Sequence, residues 1–492
     1  MRNNHIILLP FILLSPSLAY CDSQTSDYKT AVVEVSIDAI TDIALANSLD
    51  IQIAKFDVLI SRQSLPAAES IFDTVLNTKI GFEDDQTKPA LATGATRTRV
   101  NTYSAGITKK LPSGTKLNLS ADNTRTNSNS SAIAMRPQNE AGLNFSLTQS
   151  LGKNFFGFSD RADIEITKID IENSDYTSLN MIEQTVGNVQ IAYWDFVLKS
   201  ETVAIKEDML NKAKDLYSLY HRNFDLGLIE DVDLLAVESY MRERESDLLI
   251  ARLDKTTAKN NLLFLIDSPD LSVELLPLDN LGMAVSFIDL NDALRGAIAN
   301  RRDYRIINNK IKAQNLKVET KNNSLWPQID LEATLSKNGI DSSYIDSWGD
   351  LIKEDNSSAY LGLKLTLPLE NTLAKAQLTK ADLEKDQLIL KLKLTERLIL
   401  KDIHNEVKEA NALANQIELF SSIIKLHENK LKAEHQRLNA GRSTSDRIIR
   451  YEEDLLLVRL NLAAAFFKYR VSIINLALAQ NSLLDKYWKG KL

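Results

Sequence analysis

No proline or glycine interrupts the chain between Asn371 and Arg437. So long a run of helix-forming residues admits one reading, a single uninterrupted helix. One of its seams carries small or apolar residues at alternating steps of four and three: Ile403, Val407, Ala410, Ala414, Ile417, Ser421 and Ile424. That heptad spacing predicts near-parallel packing against another helix. A short turn, Asn439-Ala440-Gly441-Arg442-Ser443-Thr444, reverses the chain, and Gly441 supplies the permissive backbone a tight reversal needs. The return helix, from about Asp446 to Leu484, is apolar on more than one side (Leu455, Leu456, Leu457, Leu460, Leu462, Ala463, Ala464, Ala465). It is expected to pack against more than one neighbour. At 1.5 Å per residue the outgoing helix spans roughly 100 Å and the return helix roughly 57 Å. Such lengths exclude a compact globule, and the unequal arms require a further helix elsewhere in the chain.

The chain is long and apolar enough to exclude disorder: 492 residues, 44% hydrophobic. A net charge of -8 points away from nucleic acid. Beyond the N-terminus, no run of about 18 apolar residues is expected to span a membrane as a helix. Residues 1–19 read as a secretory signal, with Arg2, an apolar core from Ile6 to Leu14 broken by Pro10, and a small-x-small site at Ser17-Leu18-Ala19. The single cysteine, Cys21, excludes an internal disulfide. Cleavage before Tyr20 is expected. The alternative is lipidation of Cys21, because Leu18-Ala19-Tyr20-Cys21 is similar to a bacterial lipobox except for the bulky Tyr20.

Residues Tyr20 to Val35 are polar and are expected to be irregular. Ser36 is a plausible N-cap for a helix to about Ser70, bent near its end by Pro66. From Thr74 to Leu151 the texture changes to strict alternation rich in Thr, Ser and Asn. Strands are expected near 74–83, 98–110, 115–123 and 141–150, each of the length of a tilted membrane β-strand. Leu111-Pro112-Ser113-Gly114 is a tight turn, whereas Asp84 to Ala95 and Asn123 to Asn139 are long polar loops. Short turns on one side and long loops on the other fit an outer-membrane barrel. Aromatic Phe82, Tyr103, Phe145, Trp326 and Tyr360 suit an interfacial belt. A long helix from about Ser159 to Arg222 turns at Leu226-Gly227-Leu228 and returns from about Asp231 to Ile266.

The plan then restarts: a helix from Leu290 to Asn323, a strand at 328–337, a loop holding Tyr344 and Trp348, a strand at 359–367, and the opening hairpin. The chain reads as an internal duplication, with repeat 1 over 36–270, an equatorial linker over 271–285, and repeat 2 over 286–485. Ala44-Leu45-Ala46-Asn47-Ser48-Leu49-Asp50 matches Ala297-Ile298-Ala299-Asn300-Arg301-Arg302-Asp303 at four of seven positions, and Gly227 parallels Gly441. Stacking the return helix of repeat 1 on the opening helix of repeat 2 is expected to equal one long helix. The linker and both mature ends would then lie at mid-height.

The order of elements resembles the TolC-type outer-membrane efflux proteins over nearly the whole mature chain. The residues that carry it are Ala46-Asn47, Ala299-Asn300, Leu226-Gly227-Leu228 and Asn439-Ala440-Gly441. The resemblance implies an α+β membrane protein of the Gram-negative outer membrane. Three chains would pool their strands into one β-barrel in outer-membrane lipid, and their long antiparallel helical hairpins would form a hollow periplasmic α-barrel. It also implies an inner-membrane transporter and a periplasmic adaptor docked at the tips, here Leu226, Gly227, Leu228, Ala440, Gly441 and Arg442. Drug or ion efflux and type I secretion use this kind of duct equally. The chain departs from the family plan by four strands rather than two in repeat 1, so the pooled barrel has twelve strands or eighteen. It departs again at the second tip, where Arg447 and Arg450 replace the usual aspartates. Facing Asp231 and Asp233 of the first tip, these arginines predict a charge-paired aperture gate.

The chemistry-bearing residues give little else. His427 and His435 lie eight apart on one helix without a third ligand, which excludes a convincing metal site. No phosphate-binding loop or nucleophile triad is present in the sequence, so neither an enzyme nor a cofactor is expected. Glu238 and Glu452 read as ordinary solvated helix charges. The alternative function is a periplasmic coiled-coil structural or adaptor-like protein with a soluble β domain.

Overall fold

A computed structural model describes residues 32–88, 94–130, 135–282, 285–440 and 442–487. The signal, Cys21 and Gly441 lie outside the described residues. In chain order, β1 (Val32–Val35) precedes α1 (Ile37–Asn47), α2 (Leu49–Arg62) and α3 (Ser64–Glu69). Four strands follow: β2 (Thr74–Asp85), β3 (Thr98–Lys110), β4 (Thr115–Ser128) and β5 (Gln138–Ser150). The first long hairpin is α4 (Phe158–Asp225) and α5 (Asp231–Leu265). After β6 (Glu274–Pro277) come α6 (Leu290–Asn300), α7 (Arg302–Asn323), β7 (Gln328–Asp341), α8 (Tyr344–Lys353) and β8 (Ser357–Thr366). The second hairpin is α9 (Thr372–Asn439) and α10 (Ser445–Gln480).

The two long helices, α4 and α9, each have 68 residues, or roughly 100 Å. The predicted seam of α9 is buried at Ile403, Val407, Ala410, Ala414 and Ile417. Helix α10 is long and apolar enough to cross a membrane by length and composition, contrary to expectation. It lies instead between α4 and α9, which accounts for apolar residues on more than one side.

Each short helix lies along the long helix of its own half. The lower part of α4 meets α5 through Leu210, Ala213, Tyr240 and Met241. Its upper part meets α2 through Ile51, Ala54, Ile182 and Val186. Likewise α10 lines the lower part of α9 through Ala465 and Tyr469, and α6 lines its upper part through Ala293 and Ala297. This corrects the expected stacking of one repeat's return helix on the other's opening helix. A tight tip turn holds each return helix against its own outgoing helix, and the opening helix fills the length left over.

The opening helix of each half is interrupted, at Ser48 (φ -53, ψ 126) and at Arg301 (φ -57, ψ 116). These two residues are equivalent in the matched seven-residue segments. At the second break the end of α10 supplies the missing partners. Arg301 Nη1 donates to the Ala479 carbonyl at 3.0 Å, and the Arg302 N–H donates to Asn481 Oδ1 at 2.9 Å. Near its end the opening helix of repeat 1 is interrupted once more, at Gln63 between α2 and α3, three residues before Pro66, whose missing N–H falls in the first turn of α3, where it needs no partner. As expected, Ser36 caps α1, its hydroxyl accepting from the Ala39 N–H at 3.3 Å.

At the waist, β1 and β6 pair in parallel with Val32 opposite Glu274. The stretch before Ser36 and the linker are therefore not irregular throughout. Leu275 and Leu281 join the largest buried cluster, around Tyr193, Phe196 and Leu262. Near the C-terminal end Lys486 pairs with Asp38 at 2.6 Å, so both ends of the described chain lie at this level.

Six strands form one sheet in the order β2-β3-β4-β5-β7-β8, every neighbour antiparallel. Cross-strand register sorts its side chains by face. One face carries Leu76, Ile80, Tyr103, Ile107, Leu119, Phe145, Leu335 and Leu361. The other carries Asn77, Ser104, Ser120, Asn144, Thr334 and Tyr360. Tyr360 thus points away from the aromatic belt it was expected to join. The apolar side chains are bare: Ile80 is 82% exposed and Leu361 74%. Both edges, β2 and β8, lack a partner strand among the described residues.

The tight turn at Ser113 lies on the helical side, where Lys110 pairs with Asp160 at 2.7 Å and Arg161 donates to the Pro112 carbonyl at 2.8 Å. The segment expected to be a loop around Trp348 contains α8 instead, capped by Ser343 and packed on the sheet through Ser347 and Leu351.

Candidate functional site

The two helical tips are built alike. At the first, the Gly227 N–H donates to the Phe224 carbonyl at 2.8 Å and the Leu228 N–H to Asn223 at 2.9 Å. This is a Schellman closure, with Gly227 in the left-handed region (φ 65). At the second, the Arg442 N–H donates to the Arg437 carbonyl at 2.8 Å, which is the same five-residue closure. Ala440 caps α9 as Leu226 caps α4.

The surfaces of the tips differ. Leu226 is 71% exposed, Leu228 69% and Val232 72%, a knob of apolar side chains with no covering element among the described residues. A Cβ built on Gly227 would meet nothing within 4 Å. The second tip is polar. Ser443 donates to Glu434 Oε1 at 2.6 Å, and Arg447 and Arg437 lie 3.7 and 3.6 Å from the same carboxylate. The serine hydroxyl, with the two guanidiniums behind it, holds the Glu434 carboxyl below its usual range. Sequence reading missed Glu434, because its partners become neighbours only once the chain has turned.

The expected gate residues all sit at this level, but no ion pair joins Asp231 or Asp233 to Arg447 or Arg450 within the described residues of one chain. Arg447 turns back onto Glu434 of its own hairpin. Asp231 and Asp233 occupy the first turn of α5, where the helix dipole favours acids.

Just above the tips the hairpins meet. Tyr220, Val237 and Ile448 form one buried cluster, and Ser445, 2% exposed, faces the Tyr220 hydroxyl. Burial pushes the Tyr220 phenol up. Glu452 is not solvated, contrary to expectation: it is 2% exposed and accepts from the Tyr240 hydroxyl at 3.2 Å. Burial pushes its carboxyl up to about 6, the Tyr240 bond opposing the shift. His435 lies 3.9 Å away, its imidazole pulled down by burial. Glu238, by contrast, is half-exposed beside Arg242. Glu452, His435, Lys212 and Arg459 line a cavity of about 570 Å³ between α4, α9 and α10. Among the described residues no cluster of three His, Cys, Asp or Glu could hold a metal ion.

Neither a protein-family model nor a curated protein matches the sequence. Solved structures do match in fold. CusC, described in terms of folding and transmembrane channel formation, superposes with a TM-score of 0.69 at 16% identity, over 93% of this chain and 95% of its own. The Campylobacter jejuni CmeC outer membrane channel gives 0.67 at 16% identity, over 91% and 85%. The Neisseria gonorrhoeae MtrE outer membrane channel, in its open state, gives 0.65 at 16% identity, over 91% and 89%. Paired long helical hairpins, a waist and an antiparallel sheet beyond them together make this the fold of the TolC-type outer-membrane channels.

Proposed function

We propose that the protein is the outer-membrane duct of a tripartite efflux or type I secretion system. Three copies would pool six strands each into an eighteen-stranded barrel, and their helices would enclose a periplasmic tunnel. The observation that carries this reading is the open sheet. Among the described residues it has one bare apolar face, one polar face, and two unpaired edges, β2 and β8. Such edges cannot stand in lipid and require closure, and edge pairing between copies supplies it. The apolar face then meets lipid and the polar face lines the lumen. The matched breaks at Ser48 and Arg301 and the matched tip closures support an internal duplication.

The tips are the docking ends for a periplasmic adaptor, which links the duct to an inner-membrane transporter. The apolar knob at Leu226 and Leu228 and the polar turn at Ala440, Gly441 and Arg442 would alternate around a three-fold ring. In that ring Asp231 and Asp233 of one hairpin meet Arg450 and Arg447 of the next and bias the aperture closed. Exposed pairs contribute about 0–1 kcal/mol each, and a three-fold set roughly 1–3 kcal/mol, which an adaptor can overcome. The channel itself carries no chemistry.

Single-channel recording in planar bilayers tests the reading. The purified protein should give discrete steps, Asp233→Ala and Arg447→Ala should each raise them, and high salt should raise wild-type conductance beyond bulk conductivity. No steps in any variant would overturn the channel. Equal steps in all would remove these residues from the gate.

A further inference from the structure

On the apolar face of the sheet the alternation changes at the end far from the helices. Leu119 and Ala121 give way to Asn123 and Arg125 on β4, and Leu143 and Ala141 give way to Asn139 on β5. Helix α8 crosses this row. A Cβ on Gly339 would sit 2.2 Å from the Ser347 carbonyl oxygen, so glycine is what lets the helix lie against the strand. Ser347 and Leu351 face the sheet, at 0% and 7% exposed, while Ile345 and Ile352 turn outward at 78% and 79%. Between α8 and the strands is a cavity of about 320 Å³ lined by Tyr103, Asn123, Arg125, Asn139 and Tyr344.

The hydrogen-bond inventory of this cavity is specific. Ser347 Oγ donates to the Tyr344 carbonyl at 2.8 Å, so it can only accept from Asn123 Nδ2, 3.3 Å away. Asn139 Nδ2 donates to the Ser342 carbonyl at 2.8 Å. Both amides are thereby engaged, and among the described residues both carboxamide oxygens are left buried without a donor, on residues 1% and 2% exposed. Unpaired acceptors at such burial are costly unless a bound water or a ligand pairs them. Arg125 stands beside them, exposed and in no ion pair among the described residues. The cavity thus asks for hydroxyl donors and an anion together. It opens onto the same face as the bare apolar band, so a ligand with acyl chains can lay them along Leu119, Phe145 and Leu335.

We propose that this cavity binds the headgroup of an outer-leaflet phosphorylated glycolipid. Its phosphate pairs with Arg125 and its sugar hydroxyls donate to Asn123 Oδ1 and Asn139 Oδ1. The proposal rests on the reading that the sheet stands in the outer membrane, with α8 at the outer interface, where its outward isoleucines meet lipid.

Native mass spectrometry of the detergent-purified protein tests it with three probes. Lipid A carries both sugar and phosphate, phosphatidic acid carries phosphate alone, and a glucosyl diacylglycerol carries sugar alone. Wild type should retain lipid A over either comparator by roughly tenfold or more, the range for a charge-assisted contact. Arg125→Ala should abolish the preference over the glucosyl lipid, and Arg125→Lys should restore part of it. Asn139→Leu should abolish the preference over phosphatidic acid. Arg125 is exposed, so its variants fold even if a change at buried Asn139 does not. Equal retention of the three probes, or lipid A retention unchanged in Arg125→Ala, overturns the site. If the same preparation conducts in bilayers without lipid preference, the headgroup site alone falls. A protein that never enters bilayers overturns both the duct and the site.

Discussion

The Tyr240 hydroxyl lies 3.2 Å from Glu452 Oε2, joining the two helical hairpins of one chain through a carboxylate that is 2% exposed. Burial holds this carboxyl at about 6 against an ordinary 4.5. Above the higher value the folded protein keeps a buried charge that the unfolded chain would leave in water. As pH falls from about 6 toward 4.5 the folded state takes up its proton first. Stability should therefore rise across that window, by up to about 2 kcal/mol. Thermal unfolding followed by circular dichroism at pH 7.5 and pH 5 checks the sign. Glu452→Gln should be more stable than wild type at the higher pH and should flatten the dependence. A wild type that loses stability on the same acidification, with no difference in the variant, contradicts the account.

A second buried pair ties the helix break to the upper part of α4. Arg302 Nη1 lies 2.5 Å from Glu183 Oε2, and Glu183 also accepts from Asn481 at 2.8 Å. Arg302→Met leaves that carboxylate buried without its partner, which should cost about 3–5 kcal/mol. Adding Glu183→Gln should recover most of the loss. A double variant no more stable than the single one would show that the guanidinium acts through packing rather than charge.

Variants of the first tip separate folding from the proposed docking role. Gly227 has a left-handed backbone but open space around it, so Gly227→Ala should cost only about 1–2 kcal/mol of local strain. Gly227→Trp should still assemble, since its Cβ would meet nothing within 4 Å, yet on the proposed reading it should abolish export by blocking the adaptor. Normal export by assembled Gly227→Trp protein would remove this tip from the docking surface.

Sheet polarity gives a topology test. Ser113 lies against α4, whereas Gly94 and Asn127 lie toward the long loops. Membrane-impermeant thiol labelling of intact cells should reach Gly94→Cys and Asn127→Cys but not Ser113→Cys. The reverse pattern would invert the proposed topology. Ser128 is unsuitable as a probe, being 4% exposed beside Thr98.

These relationships show where sequence reading succeeds. The long helices were legible because nothing between Asn371 and Arg437 can break one, and β3 because period-two alternation survives in every sheet context. Helix α8 was not legible. It is ten residues long, contains Gly349, and gains its buried face from the sheet, where Gly339 and Asn123 lie against it. The break at Arg301 depends on Asn481, 179 residues later for its Arg302 neighbour. Glu452 looks like any helix acid until Tyr240 and His435 close around it. At the first tip the glycine turn was visible, while at the second the Glu434 to Arg447 contact was not, because both residues also suit a solvated helix end.

The most direct test of the central claim is electron microscopy of the protein extracted from outer membranes in mild detergent. The account predicts a three-fold tube with roughly 100 Å helices, its β end closed by β2 of each chain pairing with β8 of the next into eighteen strands. A single-chain particle that stays monodisperse in water without detergent would contradict it.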